Sequence, residues 1–101
     1  MVRVIIERRA KEGKSLLAPL REIREVAMKQ SGYISGETLV CTEDSSVIMV
    51  ISTWESFKDW KAWQKSEKRA KLDERIEPLL LEPPKVRVYR YLSYRKTSGQ
   101  G

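Results

Sequence analysis

The sequence predicts an α+β fold, a ferredoxin-like βαββαβ sandwich whose helices cover an antiparallel sheet, and three observations carry that prediction. Short apolar runs, alternating or continuous, recur at both ends and in the middle of the chain. Between them lie two stretches with apolar residues every three or four positions, each long enough for a crossover helix. Only Glu43, Asp44, Ser45 and Ser46 separate the two middle runs, which makes those runs an antiparallel hairpin. The order strand, helix, strand, strand, helix, strand is that of the ferredoxin-like sandwich.

The first strand is predicted over Val2 to Arg9, with Val2, Val4 and Ile6 on one face and Arg3, Ile5 and Glu7 on the other. Lys11 to Lys14 is a turn about Gly13. The first helix begins between Ser15 and Ala18 and runs to Lys29. Pro19 is tolerated only in its first turn, and Leu16, Leu20, Ile23 and Ala27 form its buried stripe. Gly32 suits a C-terminal cap.

Tyr33 to Thr42 is the second strand, where Gly36 marks a bulge or a close backbone approach. Val47 to Trp54 is the third, apolar on both faces as a central strand would be. Thr53 or Ser56 opens the second helix, Ser56 with Asp59 three residues on resembling a capping box, and Ser66 interrupts or restarts that helix before Pro78 ends it. Leu79 to Pro84 is a connection, because Pro83 and Pro84 forbid further helix. Lys85 to Leu92 is the last strand. One domain is expected over residues 1–93, followed by a frayed polar tail over 94–101.

A chain of 101 residues with 41% hydrophobic content supports one core and leaves little room for a second. Its single cysteine, Cys41, excludes an intramolecular disulfide, and the lack of histidine removes the usual general base near neutral pH and the commonest metal ligand. Cys41 reads as a small strand residue. No apolar run reaches the about 20 residues that cross a bilayer, and the start MVRVII is not a leader, so no membrane association and a cytoplasmic location are expected. The net charge of +6 mixes 20 basic with 14 acidic residues, so no nucleic-acid surface is expected. Lys61, Lys65 and Arg69 recur every four residues and are expected to form a solvated helical stripe.

No hydrolase elbow, phosphate loop, zinc pattern or dinucleotide fingerprint occurs, and no catalytic residue, cofactor-binding set or metal-binding set is predicted. The acidic groups Asp73, Glu74, Glu77 and Glu37, Glu43, Asp44 read as helix surface and turn. The chemical interest lies in ISTWESFKDWKAW, residues 51–63, which holds all three tryptophans. Trp60, in one stripe with Phe57, is expected in the core. Trp63, on an adjoining face, is read either as a core or dimer contact or as the wall of a pocket for a planar apolar ligand, with Trp54 and Tyr33 as further wall residues and Tyr89 and Tyr91 as possible contributors.

The pieces GYISGETL, VISTWESFKDWKAW, SEKRAKLDERIEPLL and VRVYRYL resemble the antibiotic biosynthesis monooxygenase domain family over roughly residues 2–92. The resemblance implies a dimeric α+β barrel in which the sheets of two chains pack together while each chain keeps a pocket between sheet and helices. It also implies either cofactor-independent oxygenation of aromatic compounds or haem degradation. In the haem-degrading branch Trp63 matches the helix tryptophan, but Asp73 stands where a histidine ligates haem and the first strand lacks its asparagine. The expected function is therefore a cofactor-independent monooxygenase acting on an aromatic or quinone-like small molecule. The alternative is a noncatalytic homodimeric module that binds a small apolar, aromatic or anionic molecule.

Overall fold

Alternation decides the first strand, β1 (Val2–Arg9). Val2, Val4, Ile6 and Arg8 are buried beneath the helices, while Arg3, Ile5, Glu7 and Arg9 take the other face. The structure is a computed structural model that describes residues 1–93, so the predicted tail at 94–101 lies outside the described residues. β1 pairs antiparallel on one side with β3 (Val47–Trp54) and on the other with β4 (Lys85–Arg90), and β2 (Tyr33–Val40) closes the far edge against β3. The order β2-β3-β1-β4 places the two strands richest in Val and Ile at the centre, as the ferredoxin-like arrangement requires.

All three helices lie on one face. α1 (Leu17–Ala27) buries Leu20, Ile23 and Ala27, with Leu16 just before it, and α2 (Phe57–Gln64) buries Trp60 and Trp63. α3 (Glu67–Ile76) adds Leu72 and Ile76. These residues join Val2, Val4, Ile6, Ile48 and Trp54 of the sheet in a single core, and Arg75 of α3 donates to Glu22 of α1 at its exposed edge.

Pro19 sits in the first turn of α1, where its missing N–H costs nothing. The helix stops two residues before Lys29, because Lys29 and Gln30 turn more tightly, their N–H groups donating to the Val26 and Ala27 carbonyls at 3.1 and 3.0 Å. Gly32 follows those turns and does not cap the helix directly. β2 and β4 each end two residues short of the expected Thr42 and Leu92. The second helical stretch is two helices: the Ser66 hydroxyl donates to the Trp63 carbonyl at 2.8 Å and accepts from the Arg69 N–H at 3.1 Å, closing one helix and capping the next. The connection after α3 is more ordered than a plain loop. A 3₁₀ turn over Glu77–Leu79 leads to Leu80, which is buried and bridges Ala10, and Leu81 N–H donates to Arg9 at 2.8 Å.

The sheet's other face carries Ile5 opposite Ile51, Leu39 opposite Met49, and Tyr89 opposite Arg3. Leu39 and Tyr89 are exposed, and Ile5, Met49 and Ile51 are partly so. No helix among the described residues is long and apolar enough to cross a membrane.

Candidate functional site

Trp54 ends β3 on the helix-covered face. Its indole N–H donates to the Ser52 hydroxyl at 3.0 Å, which satisfies the one polar atom that burial would otherwise strand. The Tyr33 ring meets it edge-on, centroids 5.3 Å apart and planes at 90°, and Trp60 meets it at 5.9 Å and 62°. Tyr33 reaches this position because β2 shifts register between Tyr33 and Ser35 and because Gly36 has no side chain. A β-carbon at Gly36 would collide with the Tyr33 hydroxyl. The glycine is thus a close approach, with the bulge just before it.

α2 is aimed by its N-terminus. The Ser56 hydroxyl accepts from the Asp59 N–H at 3.0 Å and donates to the Asp59 carboxylate at 2.9 Å. Gly32, at φ +86°, packs against the Asp59 side chain where any β-carbon would clash, and its carbonyl accepts from the Glu55 N–H at 2.7 Å. The start of α2 is thereby fixed to the chain that enters β2, and Trp60 and Trp63 turn inward together.

Two arginines lie behind these rings. Arg69, 5% exposed, sets its guanidinium carbon 5.5 Å from the Trp60 ring centre and 5.7 Å from that of Trp63, while its Nε contacts the Asp73 carboxylate at 3.2 Å. Arg8, 3% exposed, occupies the last inward position of β1 opposite Ile48. Burial, and then repulsion from Arg69, lower its guanidinium from the ordinary arginine range to about 10, with Asp73 offsetting part of the shift. It stays charged at neutral pH.

Tyr33, Trp54 and Trp63 all border one cavity of ≈ 50 Å³ between sheet and helices. Trp60, Ser52, Arg8 and Arg69 border it too. That volume holds a few waters, so a ring enters only if a wall yields. Half-buried Tyr33 is one such wall. The expected division between a core Trp60 and a pocket Trp63 does not hold, since both are buried and both border the cavity. Phe57 is exposed, with Lys61 Nζ 5.7 Å from its ring centre, and Tyr89 lies on the sheet's outer face.

Arg69 was expected in the solvated stripe with Lys61 and Lys65. The break at Ser66 starts a new helix, so the four-residue spacing no longer keeps these residues on one face. Arg8 was missed although the alternation of Val2, Val4 and Ile6 points to it as the next inward residue. Among the described residues no group of three or more Cys, Asp or Glu is placed to hold a metal ion. Asp73, at the position the haem-degrading branch gives to its histidine, is engaged by Arg69 and borders a separate hollow with Gln64 and Glu77.

The antiparallel sheet, the helices on one face and the aromatic cavity between them define a small ferredoxin-like α+β protein. The model of the antibiotic biosynthesis monooxygenase family matches residues 1–75, and the chain belongs to that family. No curated protein sequence matches it. Among solved structures, one described as an antibiotic biosynthesis monooxygenase is similar at a TM-score of 0.83 and 17% identity, covering 92% of this chain and 100% of that one. A conserved protein from Methanosarcina mazei gives 0.82 and 15%, covering 88% and 90%. A Mycobacterium tuberculosis protein gives 0.82 and 16%, covering 94% and 98%. At these identities the likeness is one of fold.

Proposed function

We propose that this chain is a cofactor-independent monooxygenase acting on an aromatic or quinone-like small molecule held between sheet and helices. The observation that carries the reading is the clustering of Tyr33, Trp54, Trp60 and Trp63 around one cavity. Such walls hold a flat ring by its faces and edges and keep water from the reacting carbon. A phenolic ring oxidised to a quinone gives up four electrons, enough to place one atom of O₂ on a ring carbon and release the other as water. The substrate thus supplies the reducing power itself. Trp63 and Trp54 orient the ring, and Tyr33 closes over it.

A second copy of the chain covers the outer sheet face in this reading, since Ile5, Met49, Ile51, Leu39 and Tyr89 form an apolar surface there that one chain leaves open. A homodimer in the cytoplasm fits a family whose members are typically dimeric. The noncatalytic alternative is favoured by one observation: among the described residues the only carboxylate residue bordering the cavity is Glu37, which takes the outward register opposite Ile51 and offers no inward base.

Oxygen uptake separates the two readings. Protein freed of flavin and metal, mixed with a panel of naphthols, is expected to consume one O₂ for each quinone formed, with one atom of that O₂ in the product. Saturable binding of these rings without O₂ consumption would establish the noncatalytic module instead.

A further inference from the structure

We propose that the aromatic cavity selects its ligand as an anion, a flat molecule whose phenolate, enolate or carboxylate oxygen lies against the guanidinium groups of Arg8 and Arg69. The inference rests on the reading that a ligand enters this cavity, and not on turnover.

A guanidinium withdrawn from water loses hydration that apolar packing does not return, so buried arginines normally sit against carboxylates. Arg8 does not. Among the described residues no carboxylate lies within 4.0 Å of it, and Asp73 contacts Arg69 through a single nitrogen. Arg69 sets its guanidinium over the Trp60 and Trp63 rings and holds Asp73 through Nε, which leaves its two terminal nitrogens as the part suited to an oxygen.

The charge around the pair is uneven. On the side of the separate hollow lie two acids, Asp73, which Arg69 already holds, and Glu77. On the aromatic side solvent-exposed Arg24 joins the two arginines, and among the described residues the only acid, Glu37, is in the outward register. Arg8, which no carboxylate among the described residues contacts, thus borders the cavity lined by tryptophan with its charge unpaired. An oxygen anion on a flat apolar body supplies both missing partners, a countercharge for Arg8 and a ring for the indoles.

Benzoate and benzamide test this directly, being nearly the same shape and differing in charge. Their binding is measured by calorimetry and by quenching of tryptophan fluorescence. Benzoate is expected to bind about tenfold tighter or more, the size of a charge-assisted hydrogen bond. Arg8→Met is expected to erase that preference, benzoate then binding no tighter than benzamide, and Arg8→Lys to restore part of it. Should the Met variant lose its near-ultraviolet circular dichroism, Arg8→Gln is read against Arg8→Lys in its place. Equal binding of the two probes, no saturable binding of benzoate, or a preference that survives loss of the Arg8 charge would overturn the proposal. Benzoate has no hydroxyl to oxidise, so an anion preference without O₂ uptake by phenols would sink the oxygenase reading and leave this one standing.

Discussion

The Tyr33 ring folds back over its own strand until its hydroxyl occupies the place a side chain on Gly36 would need. Gly36→Ala must therefore push Tyr33 off that position and away from its edge-on contact with Trp54. The cost expected is about 1–3 kcal/mol, the range for forcing a methyl group into packed structure. Urea denaturation reads the loss. Unchanged stability would mean that Tyr33 relaxes freely.

Trp63→Ala is a poor probe of ligand binding, because the residue is both core and cavity wall. Truncating a buried tryptophan costs about 3–5 kcal/mol, against a total of about 5–15 for a domain. Trp63→Phe keeps an apolar ring and is expected to stay folded while weakening the binding of aromatic ligands. A thermal melt checks the first outcome and a fluorescence titration the second.

Arg8 burdens the fold that contains it. Replacing this buried cation by Met is expected to raise stability by about 1–3 kcal/mol in urea at neutral pH. The sign with pH follows from the lowered value. From about 10 up to the ordinary arginine range the folded state has released the Arg8 proton and the unfolded state has not, so this group's contribution to wild-type stability rises with pH there. The advantage of Arg8→Met is constant below that window and shrinks through it. A destabilised Met variant would show that Arg8 has a partner in the fold after all.

Ile51 lies at the centre of the outer sheet face, opposite Ile5 and Glu37. Ile51→Glu is expected to convert a dimer to a monomer in sedimentation experiments, with helical circular dichroism retained, because the change leaves the helix-covered face alone. A wild-type chain that sediments as a monomer would remove the second copy from the account.

Much of the fold was legible because local signals agreed. Strict alternation gave β1, the Ser56 and Asp59 pair opened α2, Ser66 broke the helix where it stood, and Gly36 marked a close approach. The site was legible where it is aromatic. It was illegible at Arg8 and Arg69, where two rules conflict: charge argues for solvent, while the strand period of Arg8 and the reset helix of Arg69 turn both inward. The parting of Trp60 from Trp63 failed for a related reason. The cavity lies within the core rather than beside it, so one residue serves as both.

The measurement that tests the central claim most directly is a titration under nitrogen with a naphthohydroquinone, followed by NMR at the three indole N–H groups. The account predicts that Trp54, Trp60 and Trp63 shift together with one saturation curve, the Trp54 signal reporting its bond to Ser52. Indole signals that stay fixed while the ligand binds elsewhere, or while it does not bind at all, would contradict it.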